Sequence, residues 1–150
     1  MSQNEFVGFL ATVSATTALG IDMVLPAFGN VREAFGLAED STQVALTVTL
    51  YFLGLAVAQI FYGPLTDRFG RKPVLLVSLS LYVIAALASG LAPNLPTLLL
   101  ARLAWGMAAA GPRVLLMAIA RDVYDGDRLA RVLSLASAIF MIVPALAPLI

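Results

Sequence analysis

Apolar residues in this chain run in long blocks of about twenty, not at the 3.6-residue or two-residue spacing of half-buried elements. A hydrocarbon core about 30 Å thick needs roughly 20 apolar residues in helix, since only a helix satisfies every backbone group in lipid. Five windows meet that requirement: Phe6 to Phe28, Gln43 to Leu65, Val74 to Ala92, Thr97 to Ala120 and Val132 to Ile150. The pattern therefore predicts an all-α membrane protein. Arg68, Arg71 and Lys72 separate windows two and three, and Arg121, Arg128 and Arg131 separate four and five, whereas the other two connections hold only Arg32. The positive-inside rule makes the basic side cytoplasmic. The N-terminus is then inside, and the loop Gly29 to Thr42 and the Pro93-Asn94 turn are outside.

Composition agrees with this picture and narrows the chemistry. Of the 150 residues 61% are hydrophobic and 12% charged, with zero formal net charge, against about a quarter charged in a soluble domain. No basic cluster exceeds Arg68, Arg71 and Lys72, so a nucleic-acid partner is not indicated. The absence of Cys and His removes thiol and imidazole chemistry and the usual zinc and haem ligands. No metal site is expected; Asp125 and Asp127, beside Arg128 and Arg131, read as a solvated turn. With no GxSxG elbow either, an enzyme is not expected. The start, MSQNEFVGF, lacks the basic region of a signal peptide, so the first helix is expected to stay in the mature protein.

The segment Gly63-Pro-Leu-Thr-Asp67-Arg68-Phe-Gly70-Arg71-Lys72-Pro73 reads as a charge-dense turn. Gly63 permits close approach to a neighbouring helix, Asp67 faces a helix N-terminus or a guanidinium, and Gly70 permits a tight reversal before Pro73 opens span three. A basic stop that only sets topology is the simpler reading, but it does not need the interleaved Gly and Asp. This stretch resembles the signature loop of the major facilitator superfamily. Gly20-Ile-Asp22-Met-Val-Leu-Pro26, Arg102-Leu-Ala-Trp-Gly106 and Pro144-Ala-Leu-Ala-Pro148 add a similarity to its drug:proton antiporters, especially the bicyclomycin-resistance type.

The resemblance implies twelve spans in two six-helix bundles, this chain holding the first five and lacking the C-terminal bundle. It implies that Gly63, Asp67, Arg68, Gly70, Arg71 and Lys72 form a cytoplasmic gate latch, with Asp122 as the third member of its charge cluster. Pro144 and Pro148 match the antiporter-type helix motif. It also implies export of drug-like or amphipathic molecules, driven by the proton gradient with no cofactor, across the cell membrane, by expectation the bacterial inner membrane. The partners are the substrate, protons, lipid and the missing half. Export of a metabolite such as a sugar, nucleoside or amino-acid derivative stands as an alternative. So does a membrane fragment that does not transport and associates with a partner half, a reading prompted by the chain's stop at Ile150 inside an apolar run.

Three ionisable residues, Asp22, Arg102 and Arg113, fall inside spans, where each costs about 2.5 to 3.5 kcal/mol at a helix centre. Asp22 and Arg102 both come out roughly 8 to 9 Å beneath the outer face by helical rise. They are expected to pair until movement or a cationic substrate disturbs the pair and a proton exchanges, and the resemblance assigns both to proton coupling. A structural clip, or an Asp22 that only reaches the interface, is the alternative. Some relatives carry a second acid in span one where this sequence has Ser14, which leaves the number of coupled protons open. Arg113 follows Arg102 by eleven residues and so lies about 20° from it around the helix. It either lines a substrate cavity, favouring an anionic or strongly accepting substrate group, or snorkels to the cytoplasmic face. Tyr51, Gln59, Tyr62 and Trp105 are further cavity candidates that packing alone also explains. Gly54, Ala58 and the run Ala108 to Gly111 are small-residue faces for helix contact.

Overall fold

The computed structural model describes Gly8, Thr12 and residues 28–38 and 42–146. A short helix α1, Phe28–Phe35, and a 3-10 turn, Thr42–Val44, lead into four long helices. These are α2 (Ala45–Phe69), α3 (Arg71–Gly90), α4 (Leu95–Val123) and α5 (Gly126–Leu146). The described residues contain no strand. Among the described residues three helices are long and apolar enough to cross a membrane: α2 with its leading turn, α3 and α4, at mean hydropathies of 2.0, 2.0 and 1.5. They answer to the second, third and fourth expected spans. Apart from Gly8 and Thr12, the first span lies outside the described residues up to Phe28.

The helices overrun the expected boundaries. The first expected loop contains most of α1, and α2 continues to Phe69, so Asp67 and Arg68 lie on a helix instead of in a turn. Only Gly70, at φ +82°, separates α2 from α3, and α3 opens at Arg71, two residues ahead of Pro73. Hydropathy ends a span where charges begin, but the backbone keeps making i to i−4 bonds until a residue of positive φ interrupts them. The same correction applies to α5, which starts at Gly126 and takes in Asp127, Arg128 and Arg131.

The start of α4 is marked by the Asn94 side chain, which accepts from the Thr97 backbone N–H at 2.9 Å and from its hydroxyl at 2.7 Å. Pro96 occupies the first turn, where a missing N–H is harmless. At 29 residues, α4 is about 44 Å long, enough to cross the hydrocarbon and carry Arg121 and Asp122 beyond it. The helix runs unbroken through Pro112, whose side chain is fully buried.

α4 is the central element: it packs along both α2 and α3, which scarcely touch each other. Lipid tails are as apolar as Leu, so helix association here depends on close van der Waals packing and not on water release. Small residues supply it. A Cβ at Gly54 would overlap the Leu103 carbonyl, one at Gly106 the Tyr51 carbonyl, and one at Gly111 the Ser78 and Tyr62 side chains. Ala58, Ala108, Ala109 and Ala110 are buried beside them, as the small-residue faces predict. Gly63 does not share this role: no described atom lies within 4 Å of a Cβ built there, and its carbonyl accepts from the Thr66 hydroxyl at 2.7 Å. Outward, Ile60, Phe61, Leu91 and Leu100 are exposed, as a lipid-facing surface requires.

Gly106→Ala drives a methyl into the α2 backbone and is expected to destabilise by about 1 to 3 kcal/mol, read as a lower midpoint of unfolding in mixed detergent. Gly63→Ala meets open space and should leave that midpoint unchanged or slightly raised.

Candidate functional site at two levels of the bundle

At the end of the bundle expected to be cytoplasmic, the positive φ of Gly70 turns the chain so that Arg71 begins α3 beside the last turns of α4. Arg71 Nη1 donates to the Ala118 carbonyl at 2.8 Å and forms an ion pair with Asp122 Oδ2. A carbonyl in the second-last turn of α4 and a carboxylate one turn later thus share one guanidinium, tying the start of α3 to the end of α4. Both side chains of the pair are partly exposed, 37% and 54%, so its contribution to stability is at most about 1 kcal/mol. Such a pair can be broken and remade, which suits a movable contact better than a fixed one. Asp67, on the last turns of α2, is exposed and makes no hydrogen bond or ion pair with the described residues. Arg68 lies over the Phe69 ring at 5.3 Å, and Lys72 is exposed. Of the expected charge cluster, then, the described residues join Arg71 to Asp122 and leave Asp67 beside them with a free carboxylate.

Deeper in the bundle, the structure gathers Tyr51 of α2, Tyr82 of α3 and Trp105 of α4 into one cluster. The Trp105 ring meets Tyr51 edge-on at 5.9 Å and 89°, and Tyr82 at 5.5 Å and 69°. Arg102 places its guanidinium carbon 4.8 Å from the centroid of the same indole. Its Nε and Nη1 are buried, as is the Tyr51 hydroxyl, and none of these has a hydrogen-bond partner among the described residues. Unpartnered buried donors are costly, about 1 to 3 kcal/mol each and more for a charged group. Asp22, the expected acceptor, lies outside the described residues, and so does Pro148; Pro144 lies on α5.

Arg113 is exposed on α4, and both it and Arg102 act electrostatically on Tyr51. α4 runs as one helix from Arg102 to Arg113, so the eleven-residue spacing sets them about 20° apart around it. Gln59 is exposed on α2 and is not part of the aromatic cluster. Tyr82 was not among the sequence candidates. The signal for it was available in principle, as a buried Tyr one helix away from another at the same membrane depth, but pairing that depth with α4 required knowing which helices touch. On the opposite side of α4 from the two arginines, about 180° from Arg113 by helical angle, Ala104 helps line a groove of about 500 Å³. Phe61 and Leu65 of α2 and Leu81 and Ile84 of α3 form its apolar walls. The polar and apolar sides of α4 are thus separated, and the charged side is the one with unfilled hydrogen-bonding capacity.

Comparison with known proteins identifies the family. Residues 10–150 match the family described as Major Facilitator Superfamily. An uncharacterised MFS-type transporter, YdgK, of Bacillus subtilis is 37% identical over 131 residues, covering 87% of this chain and 32% of its own. A bicyclomycin resistance protein homolog of Haemophilus influenzae is 32% identical over 145 residues, covering 97% and 36%. The multidrug resistance protein MdtL of Klebsiella pneumoniae is 38% identical over 131 residues, covering 87% and 33%. The chain spans about a third of the length of these relatives. Apolar spans and a family match over nearly the whole length lead to one conclusion: the chain belongs to the Major Facilitator Superfamily, a family of transporters.

Proposed function

We propose that this chain forms the first five helices of the N-terminal bundle of a proton-coupled secondary transporter, which exports drug-like or amphipathic small molecules by alternating access. The observation that carries the reading is Arg102: a guanidinium held half-buried among apolar helices, with Nε and Nη1 free of any described partner. An ionisable group at membrane depth is retained where a charge or proton must be handled there. The names of two relatives, a bicyclomycin resistance homolog and a multidrug resistance protein, supply the substrate class. Substrate and protons are the solutes handled, the proton gradient is the energy source, and no cofactor or metal takes part. The N-terminus is cytoplasmic by the distribution of Arg and Lys, the location is the bacterial inner membrane, and a second bundle completes the cavity. Coverage of only a third of each relative supports the need for that second half.

In this reading Asp22 and Arg102 couple protons: Asp22 is protonated on the side where the acid leaves the guanidinium and deprotonated when it returns. Gly63, Asp67, Arg68, Gly70, Arg71, Lys72 and Asp122 form the cytoplasmic gate. The Arg71–Asp122 contact holds α3 and α4 together, and the free carboxylate of Asp67 meets the second bundle. Arg113, exposed on the polar face of α4, sets a preference for substrates bearing an anionic or strongly accepting group. Tyr51 and Trp105 wall the cavity beside it. A native metabolite with such a group is the second substrate class that Arg113 favours.

Asp22→Asn in the assembled transporter is expected to abolish the pH dependence of efflux, measured in inverted vesicles at fixed substrate concentration; an unaltered pH profile would remove Asp22 from coupling. Arg71→Asp should shift the balance between inward-open and outward-open forms by about fivefold, the equivalent of about 1 kcal/mol for an exposed pair. The reversed pair, Arg71→Asp with Asp122→Arg, should restore part of it, read by labelling of a cysteine placed at the cytoplasmic mouth. Arg113→Gln should change the ranking of exported compounds without changing the proton dependence, as scored by resistance to a panel of anionic, neutral and cationic drugs.

A further inference from the structure

A guanidinium can be held through its edge or through its face. Edge-on, the in-plane N–H groups go to a carboxylate or carbonyl, and the donors are consumed. Face-on, the cation rests on an aromatic ring, and the N–H groups stay available. A residue that must exchange one acidic partner for another during a cycle needs the second kind of support. An edge-on anchor would compete with every partner.

Arg102 is supported face-on. Its guanidinium carbon is 4.8 Å from the Trp105 ring centroid, inside the roughly 6 Å range of a cation–π contact. Spacing of three residues on a helix brings such side chains near each other in any case. Two further observations go beyond that proximity. Nε and Nη1 are buried yet donate to nothing among the described residues, so the ring face is their only described restraint. The indole itself is fixed: Tyr51 and Tyr82 meet it edge-on from two other helices, at 5.9 Å and 5.5 Å. The groups acting electrostatically on this site are Tyr51 from α2, Tyr82 from α3 and Arg113 from α4. The described acids, Glu33, Asp67, Asp122, Asp125 and Asp127, all lie on α1 or at helix ends.

We propose that Trp105 is the positioning residue for Arg102: clamped by Tyr51 and Tyr82, its indole face holds the guanidinium at membrane depth while leaving Nε and Nη1 free to take and release an acidic partner. The proposal rests on the coupling role given to Arg102 above. It gives Trp105, beside its place in the cavity wall, the task of holding the arginine, and it gives Tyr82 a part in the same device.

Trp105 is the one tryptophan of the 150-residue sequence, so its spectra report on this site alone. In the chain reconstituted in lipid nanodiscs, Arg102→Gln is expected to shift Trp105 fluorescence and its ultraviolet resonance Raman indole bands. Arg102→Lys, which keeps a cation, should retain most of the signal, and Arg113→Gln should leave it unmoved. Identical spectra for wild type and Arg102→Gln overturn the contact, whatever transport shows. The role is then read in the assembled transporter. Trp105→Phe, which keeps an aromatic face, should preserve the pH profile of efflux. Trp105→Leu should move the profile in the direction of Arg102→Gln, with coupled efflux lowered between about twofold and thirtyfold, the range spanned by exposed to desolvated cation–π contacts. A wild-type profile in Trp105→Leu, beside an altered one in Arg102→Gln, overturns positioning while leaving coupling in place. An unaltered profile in Arg102→Gln overturns the coupling reading and the positioning role together, and the spectra separate that case from a contact that does not form.

Discussion

The crossing of α2 and α4 is the contact on which the rest of the structure depends. Gly54 lies against the Leu103 carbonyl and Gly106 against the Tyr51 carbonyl, so each helix offers the other a strip of bare backbone. In lipid there is little to gain from hiding apolar surface, and helices stay together through dispersion contacts that fall steeply with distance. A single methyl at either glycine would separate the backbones. The same crossing sets the position of Tyr51, whose carbonyl abuts Gly106 and whose ring meets Trp105 one residue earlier on α4. Packing and polar site are consequences of one approach.

That approach explains how α4 serves two surfaces at once. Its small residues, Ala101, Ala108, Ala109, Ala110 and Gly111, are buried against α2 and α3. The space they leave lets the large polar side chains of the same helix project elsewhere. Arg102 rests on Trp105, and Arg113 stands exposed about three turns further along. The apolar groove between α2 and α3 falls on the other side. A helix with charge on one side and alanine on another can bind neighbours tightly and still keep hydrogen-bonding capacity inside a membrane.

The end of the bundle around Gly70 obeys a different rule. There water screens the Arg71–Asp122 pair, and its energy is small by comparison with the packing above it. What makes the contact specific is geometry: Gly70 reverses the chain within one residue, and Arg71 reaches the Ala118 carbonyl as well as the carboxylate. A weak and well-aimed pair at the mouth, over a rigid crossing in the interior, is a sensible division for a protein whose family moves solutes.

The sequence by itself determined the all-helical class, the second, third and fourth spans, and the motif that led to the family, because lipid imposes a length and an apolarity that are local properties of the chain. It also determined that Arg102 and Arg113 share a face, since that follows from helical angle alone. Helix ends were less legible: α2 and α5 each extend into charged residues because a helix stops where backbone geometry changes and not where hydropathy does. Tertiary structure alone decided which glycines matter. Gly63 lies in the family motif yet a Cβ there would meet no neighbouring helix among the described residues, whereas Gly54, Gly106 and Gly111 take the close contacts. It alone joined Arg71 to Asp122 and enclosed Trp105 between Tyr51 and Tyr82. Each of those depends on which helices touch and at what height, a relation among distant segments that no single window of sequence contains.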